Sequence, residues 1–450
     1  MTRFDALVVG AGFAGLSAAV RLAGAGARVL VLESRSRLGG RATAFRDRET
    51  GELVDNGQHV LAGCYTETFA FLRAIGAAGH VHVPDRLGVT MVDAGGRVSR
   101  LSCPPLPPPL HLLAGVLRWD ALGWRDRLAV FRMAGPLRRA QQAARSEPAS
   151  AAAREETVEA WLVRHGQTPR VREMLWDPLA LAALNQPVST AAAGPFARVL
   201  AEMFGPDPRA AALALPTLPL DAMYAEPARA FLAAHGAEVR TGVTAAIAIE
   251  GGRCRVSAGP DVHVPPVVIA AVPWFALPGL FSGEVEPLSA ILAAARTTAA
   301  SPIVTVNLWF DRPVLDEPFV GLPGRRMQWV FDKRLVQGDS ASHLSLVSSG
   351  AEDLLAETNA GLIGSAHQEL REALPSCAEA VLVRGTVIRE PRATFSIAPG
   401  QPPRPDSRTP IPGLYLAGDW IATGLPATIE SAVRSGHRSA GQAIADRGRA

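Results

Sequence analysis

The sequence predicts an α/β fold in which a discontinuous, Rossmann-like nucleotide-binding domain carries an inserted α+β domain. Three observations support this fold class: the N-terminus reads as strand, glycine-rich turn, helix and strand; residues 413–436 read as strand, glycine turn and helix; and residues 237–258 alternate like short strands. Because the two glycine turns lie at opposite ends of the chain, one domain must be built from separate segments. The predicted nucleotide-binding domain comprises residues 1–75, 225–290 and 405–450, and the inserted domain comprises residues 76–224 and 291–404.

Length and composition indicate a compact globular protein of roughly two or three domains. Of the 450 residues, 48% are hydrophobic and 19% are charged, and the net charge of +3 is too small to indicate a nucleic-acid partner. The four cysteines form no C-x-x-C pair, which argues against a zinc site and favours a reducing, cytoplasmic setting. No uninterrupted apolar run reaches about 18 residues, so we expect no membrane-spanning helix.

Residues 5–33, DALVVGAGFAGLSAAVRLAGAGARVLVLE, have the order of a βαβ unit. Residues 7–9 are predicted to form a buried strand, after which three glycines supply G-x-G-x-x-G. The first glycine permits the tight turn, the second lets backbone approach a pyrophosphate, and the third lets the helix pack on the sheet. The helix N-terminus then offers free N–H groups to phosphates. The residues predicted to bind here are Gly10, Ala11, Gly12, Phe13, Ala14 and Gly15.

The next predicted strand covers residues 29–32, and Glu33 directly follows it, at its tip. An acidic side chain about 20 residues after the glycines accepts the ribose hydroxyls of a dinucleotide. Ser34 and Arg35 follow it and belong to the same predicted site. The alternative is a glycine-rich turn without a ligand, and the two flanking strands together with Glu33 argue against it.

A second phosphate-binding sequence, R-x-G-G-R, begins at Arg37 and includes Gly39, Gly40 and Arg41. Adjacent glycines let backbone pass close to a ligand, and a guanidinium group holds phosphate through two N–H groups. A plain NAD-binding domain does not need this second phosphate contact. A two-dinucleotide-binding flavoprotein of the GR2 type needs it, because its FAD extends past this loop. The alternative is a basic surface loop.

The sequence VDNGQHVLAG, residues 54–63, follows a short hydrophobic strand. Gly57 allows close approach to a planar ring, and Gln58 and His59 are predicted to lie on the flavin side. Histidines in such positions also serve as hydrogen-bonded structural residues, so both roles stay open for His59.

The segment GLYLAGDWIATGLPATIESAVRSG, residues 413–436, supplies the other half of the site. A strand is predicted at 414–417, and Asp419 at its tip can accept a hydrogen bond from the ribityl chain of FAD. A helix is predicted to begin at Gly424 with Pro426 in its first turn, its dipole directed at the flavin. The predicted binding residues are Gly418, Asp419, Gly424, Leu425, Pro426 and Ala427. The helix face predicted to pack on the sheet comprises Ile429, Ala432, Val433, Gly436, Ala440 and Ile444.

The middle of the chain agrees with this arrangement. Residues 237–258 alternate like the strands of a small meander, and Val243 is expected to cover the adenine. Residues 267–273 are predicted to form a short return strand before the chain leaves the cofactor domain. Together the two halves of the site predict FAD as the cofactor.

A helix near residues 104–140 is predicted to face a membrane. This stretch combines three prolines at 107–109, an apolar run at 110–117, Trp119, Trp124 and a series of arginines. Apolar anchors beside tryptophan and arginine suit a helix in a membrane interface. The alternative is a proline linker into an ordinary helical subdomain. We therefore expect a cytoplasmic protein with a peripheral contact to the inner face of the membrane.

Three segments of the chain resemble bacterial hydroxysqualene dehydroxylases, also called squalene-associated FAD-dependent desaturases, of the amine oxidase and phytoene desaturase superfamily. They are LYLAGDWIATGLPATIESAVRSG, VDNGQHVLAG and WDPLALAALNQP. The resemblance implies reduction of hydroxysqualene to squalene on the route to hopanoid precursors. It also implies a long isoprenoid substrate and an electron donor that the sequence does not identify.

Such a reaction needs an acid as well as a hydride from reduced FAD. Loss of water from an allylic alcohol leaves a delocalised cation, and one proton must be supplied. Asp177 is the first candidate donor, because apolar surroundings raise a carboxyl pKa; His59 and Glu226 are the others. The alternative for Asp177 is a cap on a helix begun by Pro178.

Three other functions share this architecture. A carotenoid-type desaturase would use the same fold and substrate class in the oxidising direction. An amine oxidase commonly uses a lysine near the flavin and an aromatic cage, whereas this chain has one lysine, Lys333, and three tyrosines. A prenyl-binding protein without flavin is opposed by the intact glycines, Glu33 and Asp419.

Overall fold

The computed structural model describes residues 4–47, 51–146, 155–339 and 341–448, and within these ranges the strands form five sheets. In chain order the described strands are β1 (Ala6–Val9), β2 (Val29–Glu33), β3 (Ala44–Arg46), β4 (Leu53–Asp55), β5 (Leu61–Ala62), β6 (Val81–His82), β7 (Gly88–Val92), β8 (Val98–Ser102), β9 (Leu213–Pro216), β10 (Glu238–Thr241), β11 (Ala245–Glu250), β12 (Arg253–Ala258), β13 (Asp261–His263), β14 (Val267–Ala270), β15 (Phe281–Gly283), β16 (Ala300–Phe310), β17 (Phe319–Gly321), β18 (Trp329–Asp332), β19 (Ser342–Ser349), β20 (Leu382–Phe395) and β21 (Leu414–Leu416).

The α-helices of the same ranges are α1 (Phe13–Gly24), α2 (Thr66–Ala74), α3 (Leu110–Arg118), α4 (Trp124–Phe131), α5 (Ala134–Ser146), α6 (Val158–Arg164), α7 (Pro169–Val171), α8 (Asp177–Leu184), α9 (Ala193–Met203), α10 (Glu226–Ala234), α11 (Ser289–Thr297), α12 (Lys333–Gln337), α13 (Asn359–Ala373) and α14 (Ile429–Arg447). One π-helical turn, Arg172–Trp176, joins α7 to α8, and another, Asp221–Ala225, leads into α10. None of the described helices combines the length and the apolar character needed to cross a bilayer.

A five-stranded parallel sheet has the strand order β10-β2-β1-β14-β21. Val8 pairs with Val31 on one side and with Ile269 on the other, and β14 in turn pairs with β21. The central strands are apolar and buried, as expected of a parallel sheet covered on both faces. The strands predicted around the glycine-rich turn and near the C-terminus are confirmed, and their carboxyl ends meet at one edge of the sheet.

Two sequence predictions about the middle segment are wrong in detail. β10 does not belong to the meander; it pairs in parallel with β2 and extends the main sheet. The separate small sheet has the order β13-β12-β11-β15. The return strand ends at Ala270 instead of residue 273, where a proline lacks the N–H group that a ladder needs.

The start of the last helix was also predicted wrongly. α14 begins at Ile429, because Gly424 has a φ of +84°, which an α-helix does not accommodate. The Thr428 side chain caps the helix by accepting the Ser431 N–H group at 3.1 Å. The predicted inward face is buried or half-buried except for Ile444, which is 38% exposed.

The second large sheet has the order β20-β16-β19-β18-β17-β7-β8 and is antiparallel except where β17 meets β7. Successive residues of its strands point to opposite faces. On β16, Val304 packs in the core that contains α13, whereas Ile303 faces a large cavity. This sheet therefore has one core face and one cavity face. The division of the chain into a cofactor domain and an inserted domain stays a prediction from the sequence.

Residues 104–140 form α3, α4 and the start of α5 instead of one membrane-facing helix. Trp119, predicted as an interfacial anchor, is only 1% exposed. It directly follows α3, and its side chain lines the cavity. Trp124 is 71% exposed, and the guanidinium carbon of Arg127 lies 5.0 Å from its ring centre. Leu110 and Leu128 are also more than half exposed. The outer surface of this segment is thus apolar at several points.

Candidate cofactor and substrate site

A cavity of about 1480 Å³ is lined by residues from both large sheets. Part of its wall comes from the carboxyl ends of β1, β2 and β21, and the rest comes from α3, α5, α8, α9 and the cavity face of the seven-stranded sheet. Ligand cavities commonly measure about 300–1,000 Å³. The space is therefore large enough for a cofactor and a sizeable substrate together.

The glycine-rich turn forms a backbone cradle in this wall. Gly10 has a φ of +104°, and a Cβ atom there would lie 2.4 Å from the Ala271 carbonyl oxygen. A Cβ atom on Gly15 would lie 1.9 Å from the Gly10 carbonyl oxygen, so Gly15 serves packing and does not line the cavity. Gly12 has open space on this side, its nearest neighbours being 3.9 Å away. Only the second glycine of the motif therefore keeps room for a ligand.

Glu33 lies at the tip of β2 in the cavity wall and is buried. Its carboxylate accepts the Ala11 N–H group at 2.8 Å and the Arg35 N–H group at 2.9 Å. Ser34 and Val243 line the wall beside it, and the Val243 N–H group donates to the Glu33 carbonyl oxygen at 2.9 Å. A carboxylate has several lone pairs, so Glu33 can hold the turn and still accept hydroxyl groups.

Arg41 joins the two distant halves of the site. Its guanidinium group is ion-paired with Asp419, at the tip of β21, and donates to the Ala393 carbonyl oxygen at 2.7 Å. Gly39 and Gly418 line the cavity on the two sides of this pair. The tip of the last strand and the opening glycine turn therefore belong to one continuous cavity.

The loop with Gly57, Gln58 and His59 also lies in the wall. Lys333, which is 1% exposed, donates to the Gln58 side-chain oxygen and pairs with Asp55, each at 2.9 Å. His59 Nδ1 lies 2.8 Å from the Gly57 carbonyl oxygen, which can only accept, so Nδ1 carries the proton. Burial lowers the pKa of His59, which leaves a neutral ring whose Nε2 is an acceptor. His59 is therefore a poor proton donor.

Asp177, the first candidate acid, does not line the cavity, although Trp176 and Leu179 on either side do. Burial raises its pKa as expected, and its Oδ1 atom has no hydrogen-bond partner among the described residues. The helix-cap alternative is also wrong, because the chain is already helical from Pro169 through the π-turn into α8. The π-turn shifts the positions of the side chains that follow it around the helix axis. The spacing of apolar residues in the sequence does not indicate such a turn.

Four other predicted residues lie outside the cavity wall. Glu226 is exposed in the first turn of α10 and is ion-paired with Arg229 at 3.5 Å. Gly424, Leu425 and Pro426 form the turn before α14, and because the helix starts later than predicted, the wall is formed by Ala427 and the residues after it.

Tyr224 is a residue behind the cavity wall whose place in the site was not predicted from the sequence. It is fully buried, and its ring stacks on Phe13 with 3.6 Å between the centres. Its hydroxyl group donates to the carbonyl oxygens of Gly39 and Ala42 at 2.8 and 3.1 Å. Tyr224 therefore positions the R-x-G-G-R loop against the glycine turn. No motif in the neighbouring sequence indicates this role, because the hydrogen-bond partners of Tyr224 lie far away in the sequence.

Asn185 was missed as well, within a segment quoted for its resemblance. It ends α8 with a φ of +50° and lines the cavity. Its side-chain NH₂ group donates to the Ser301 carbonyl oxygen at 3.1 Å and to Thr394 Oγ1 at 2.9 Å, which ties α8 to β16 and β20. An asparagine that follows an apolar helix and precedes a proline, here Pro187, is a typical signal for the end of a helix. This signal would have allowed Asn185 to be predicted.

Most of the remaining wall is apolar. Its side chains come from helices on one side and from strands on the other, and they include Leu112, Val116, Leu137, Leu179, Phe319 and Trp329. Such a wall binds hydrocarbon by removing it from water.

The residues around the cradle fit a dinucleotide cofactor such as FAD. Gly12 provides no capping side chain for α1, so N–H groups of its first turn are open to phosphate. A Cβ atom on Gly40 would lie 3.2 Å from Gly12 Cα, so the two glycines keep a cleft open. Asn56 Oδ1, in the wall, is buried without a hydrogen-bond partner among the described residues. A bound ligand can satisfy such an acceptor.

The chain is similar to known proteins over most of its length. A family model described as flavin containing amine oxidoreductase matches residues 13–444. The hydroxysqualene dehydroxylase of Sinorhizobium fredii is 30% identical over 453 residues, 98% of each chain. A 15-cis-phytoene desaturase of an Oncidium hybrid cultivar is 25% identical, over 98% of this chain and 78% of that protein. The crystal structure of an oxidoreductase from Methanosarcina mazei superposes with a TM-score of 0.75 at 18% identity, covering 97% of this chain and 99% of that one.

Proposed function

The chain belongs to the family of flavin containing amine oxidoreductases and is an FAD-dependent oxidoreductase, and we propose that it reduces hydroxysqualene to squalene. The observation that carries this proposal is one cavity that joins the backbone cradle for FAD to a long apolar wall. The nearly full-length similarity to a hydroxysqualene dehydroxylase supports the same substrate.

In this proposal the cofactor is held by groups from both ends of the chain. The first turn of α1 and Arg41 bind the pyrophosphate, Glu33 accepts the ribose hydroxyls and Asp419 accepts the ribityl chain. When bound and reduced, FAD supplies the hydride that replaces the substrate hydroxyl group. Tyr224 keeps the loop that carries Arg41 in place.

The apolar wall binds and shields the isoprenoid. Each Å² of hydrocarbon that it removes from water contributes about 25 cal/mol, so a long chain needs few polar contacts. Residues such as Leu112 and Leu179 also exclude water from the reacting carbon, which protects an allylic cation from recapture.

We also propose a peripheral contact between the α3–α4 segment and a membrane. Leu110, Trp124 and Leu128 are exposed on its outer side, whereas Leu112 and Val116 of the same segment line the cavity. One short segment therefore links the apolar exterior to the apolar interior, as suits a substrate that enters from a bilayer.

A phytoene-desaturase activity is the second candidate, because the plant enzyme is similar over 98% of this chain. The lysine chemistry of amine oxidases is not supported, since Lys333 pairs with Asp55 and does not line the cavity.

The decisive experiment incubates anaerobically reduced enzyme with hydroxysqualene and, separately, oxidised enzyme with phytoene. We expect one squalene per reduced FAD in the first reaction, measured by mass spectrometry together with reappearance of the oxidised flavin band. We expect no desaturated product in the second. Dehydrogenation of phytoene without any squalene would instead support the desaturase.

A further inference from the structure

The carboxyl groups in the cavity wall differ in their partners. Those in the described wall are Glu33, Glu202, Glu390 and Asp419. Glu33 accepts backbone N–H groups. Glu202 pairs with Arg198 at 2.7 Å, and Asp419 pairs with Arg41. Glu390 lines the cavity and has neither a hydrogen bond nor an ion pair with any described residue.

The backbone next to Glu390 departs from regular strand pairing, and the Glu390 side chain lines the cavity. Glu390 pairs with Ile303 across the β16–β20 ladder, and Thr394 pairs with Ser301. Three residues of β20 therefore stand opposite a single residue of β16, which makes a β-bulge. Pro391 lies in this bulge and has no N–H group for the ladder. Bulges bend a strand and redirect side chains, often beside active sites.

The bulge lies next to the cofactor part of the cavity. Ala393, within it, accepts a hydrogen bond from Arg41, the residue that pairs with Asp419. Since a strand advances about 3.3 Å per residue, Glu390 lies within roughly 10 Å of that junction along β20. Thr394, at the end of the bulge, is held by Asn185. Glu390 is thus placed where the apolar wall approaches the residues that bind FAD.

The other proton-bearing side chains of the wall are weaker acids. Burial raises the pKa of Tyr65 and raises that of the Cys103 thiol to about 11. His59 is neutral and presents an acceptor, as described above. A group with a pKa far above neutrality transfers a proton less effectively than one poised near the working pH.

We propose that Glu390 is the catalytic acid that protonates the departing hydroxyl group, an inference that rests on the function proposed above. An apolar substrate packed over this carboxyl group removes water from it and so favours its neutral form. The proton moves to the hydroxyl oxygen, the allylic C–O bond breaks with its electron pair on oxygen, and water leaves. FAD, when bound and reduced, would supply the hydride that the remaining cation needs, and the Glu390 carboxylate would regain a proton from solvent.

The test compares wild type with Glu390→Gln, which removes the proton and keeps the shape. Single-turnover reoxidation of the reduced flavin by hydroxysqualene should slow by about 10²–10⁴-fold in the variant. Flavin content and binding of squalene, followed by perturbation of the flavin band, should match wild type. The matched control is Glu379→Gln, an exposed glutamate outside the cavity wall, which should react like wild type.

A substrate analogue separates acid catalysis from a structural role. An allylic fluoride or ester in place of the hydroxyl group departs with much less need for a proton, so wild type and Glu390→Gln should reduce it at similar rates. Infrared difference spectra on squalene binding should also show a protonated-carboxyl band that Glu390→Gln lacks.

Three results would overturn the assignment. An active wild type with an equally active Glu390→Gln variant overturns the role of Glu390 alone. Equal loss of rate with hydroxysqualene and the analogue shows that the glutamate acts structurally. A wild type that leaves hydroxysqualene unchanged overturns the proposed function and this role together.

Discussion

The cavity wall at the glycine turn is formed largely by backbone, whereas the wall formed by α3, α5, α8 and α9 is formed mostly by apolar side chains. In the first region a single added carbon would collide, as at Gly15, where it would lie 1.9 Å from a carbonyl oxygen. In the second region Leu112, Leu179 and their neighbours present flexible side chains to the cavity. In the proposed function, the first region therefore recognises the cofactor by its shape and charge, and the second recognises a class of substrate by burying its apolar surface.

The largest effect should come from adding one carbon to the packed side of the cradle. Gly15→Ala would force the helix α1 away from the turn, and we expect it to cost about 3 kcal/mol or more in the free energy of unfolding. Gly26→Ala is the matched control, because Gly26 has a positive φ but no atom within 4 Å of the added carbon, so it should cost about 1 kcal/mol. Urea unfolding of the two variants measures the difference; equal stabilities would contradict the packing role of Gly15.

A smaller effect on stability, but a large loss of flavin colour, should follow from filling the open side of the cradle. Gly12→Val adds a Cβ atom whose nearest neighbours outside its own chain segment, Gly39 O and Gly40 Cα, are 3.9 Å away, so we expect a folded protein that has lost most of its FAD. Asp419→Ala should behave similarly, because it removes the predicted ribityl acceptor and the partner of Arg41. Gly79→Val, at another open position, should keep its flavin.

The ratio of flavin to protein in the purified variants decides between the outcomes. Full flavin content in both Gly12→Val and Asp419→Ala would show that the cofactor binds elsewhere.

The smallest effect is expected on the outer surface of the apolar region. Leu128→Glu removes one of the exposed side chains proposed to enter a membrane, which should weaken binding to anionic vesicles by about tenfold, or about 1.4 kcal/mol, without loss of flavin. Val383→Glu is the control, since Val383 is 67% exposed on β20, outside the α3–α4 segment. Co-sedimentation with vesicles measures both; equal binding by Leu128→Glu and wild type would contradict the membrane contact.

Sequence reasoning located residues of the cavity wall best where a residue acts through its own backbone. Gly10, Gly12 and Gly40 were found because their spacing and their lack of a side chain carry the information locally. It failed for Asp177, whose apolar neighbours in sequence suggested a buried acid in the cavity, because a π-turn in the preceding helix was not visible from spacing. It missed Tyr224 and Glu390 because the contacts of the first and the cavity position of the second depend on distant segments.

The sequence by itself determined the two halves of the FAD cradle, since steric rules at each glycine and strand tip act within a few residues. Only the tertiary structure decided that Arg41 pairs with Asp419 and that Lys333 pairs with Asp55. It also decided which carboxyl groups line the cavity. Those facts depend on how distant segments pack, and packing selects among side chains that look equivalent along the chain.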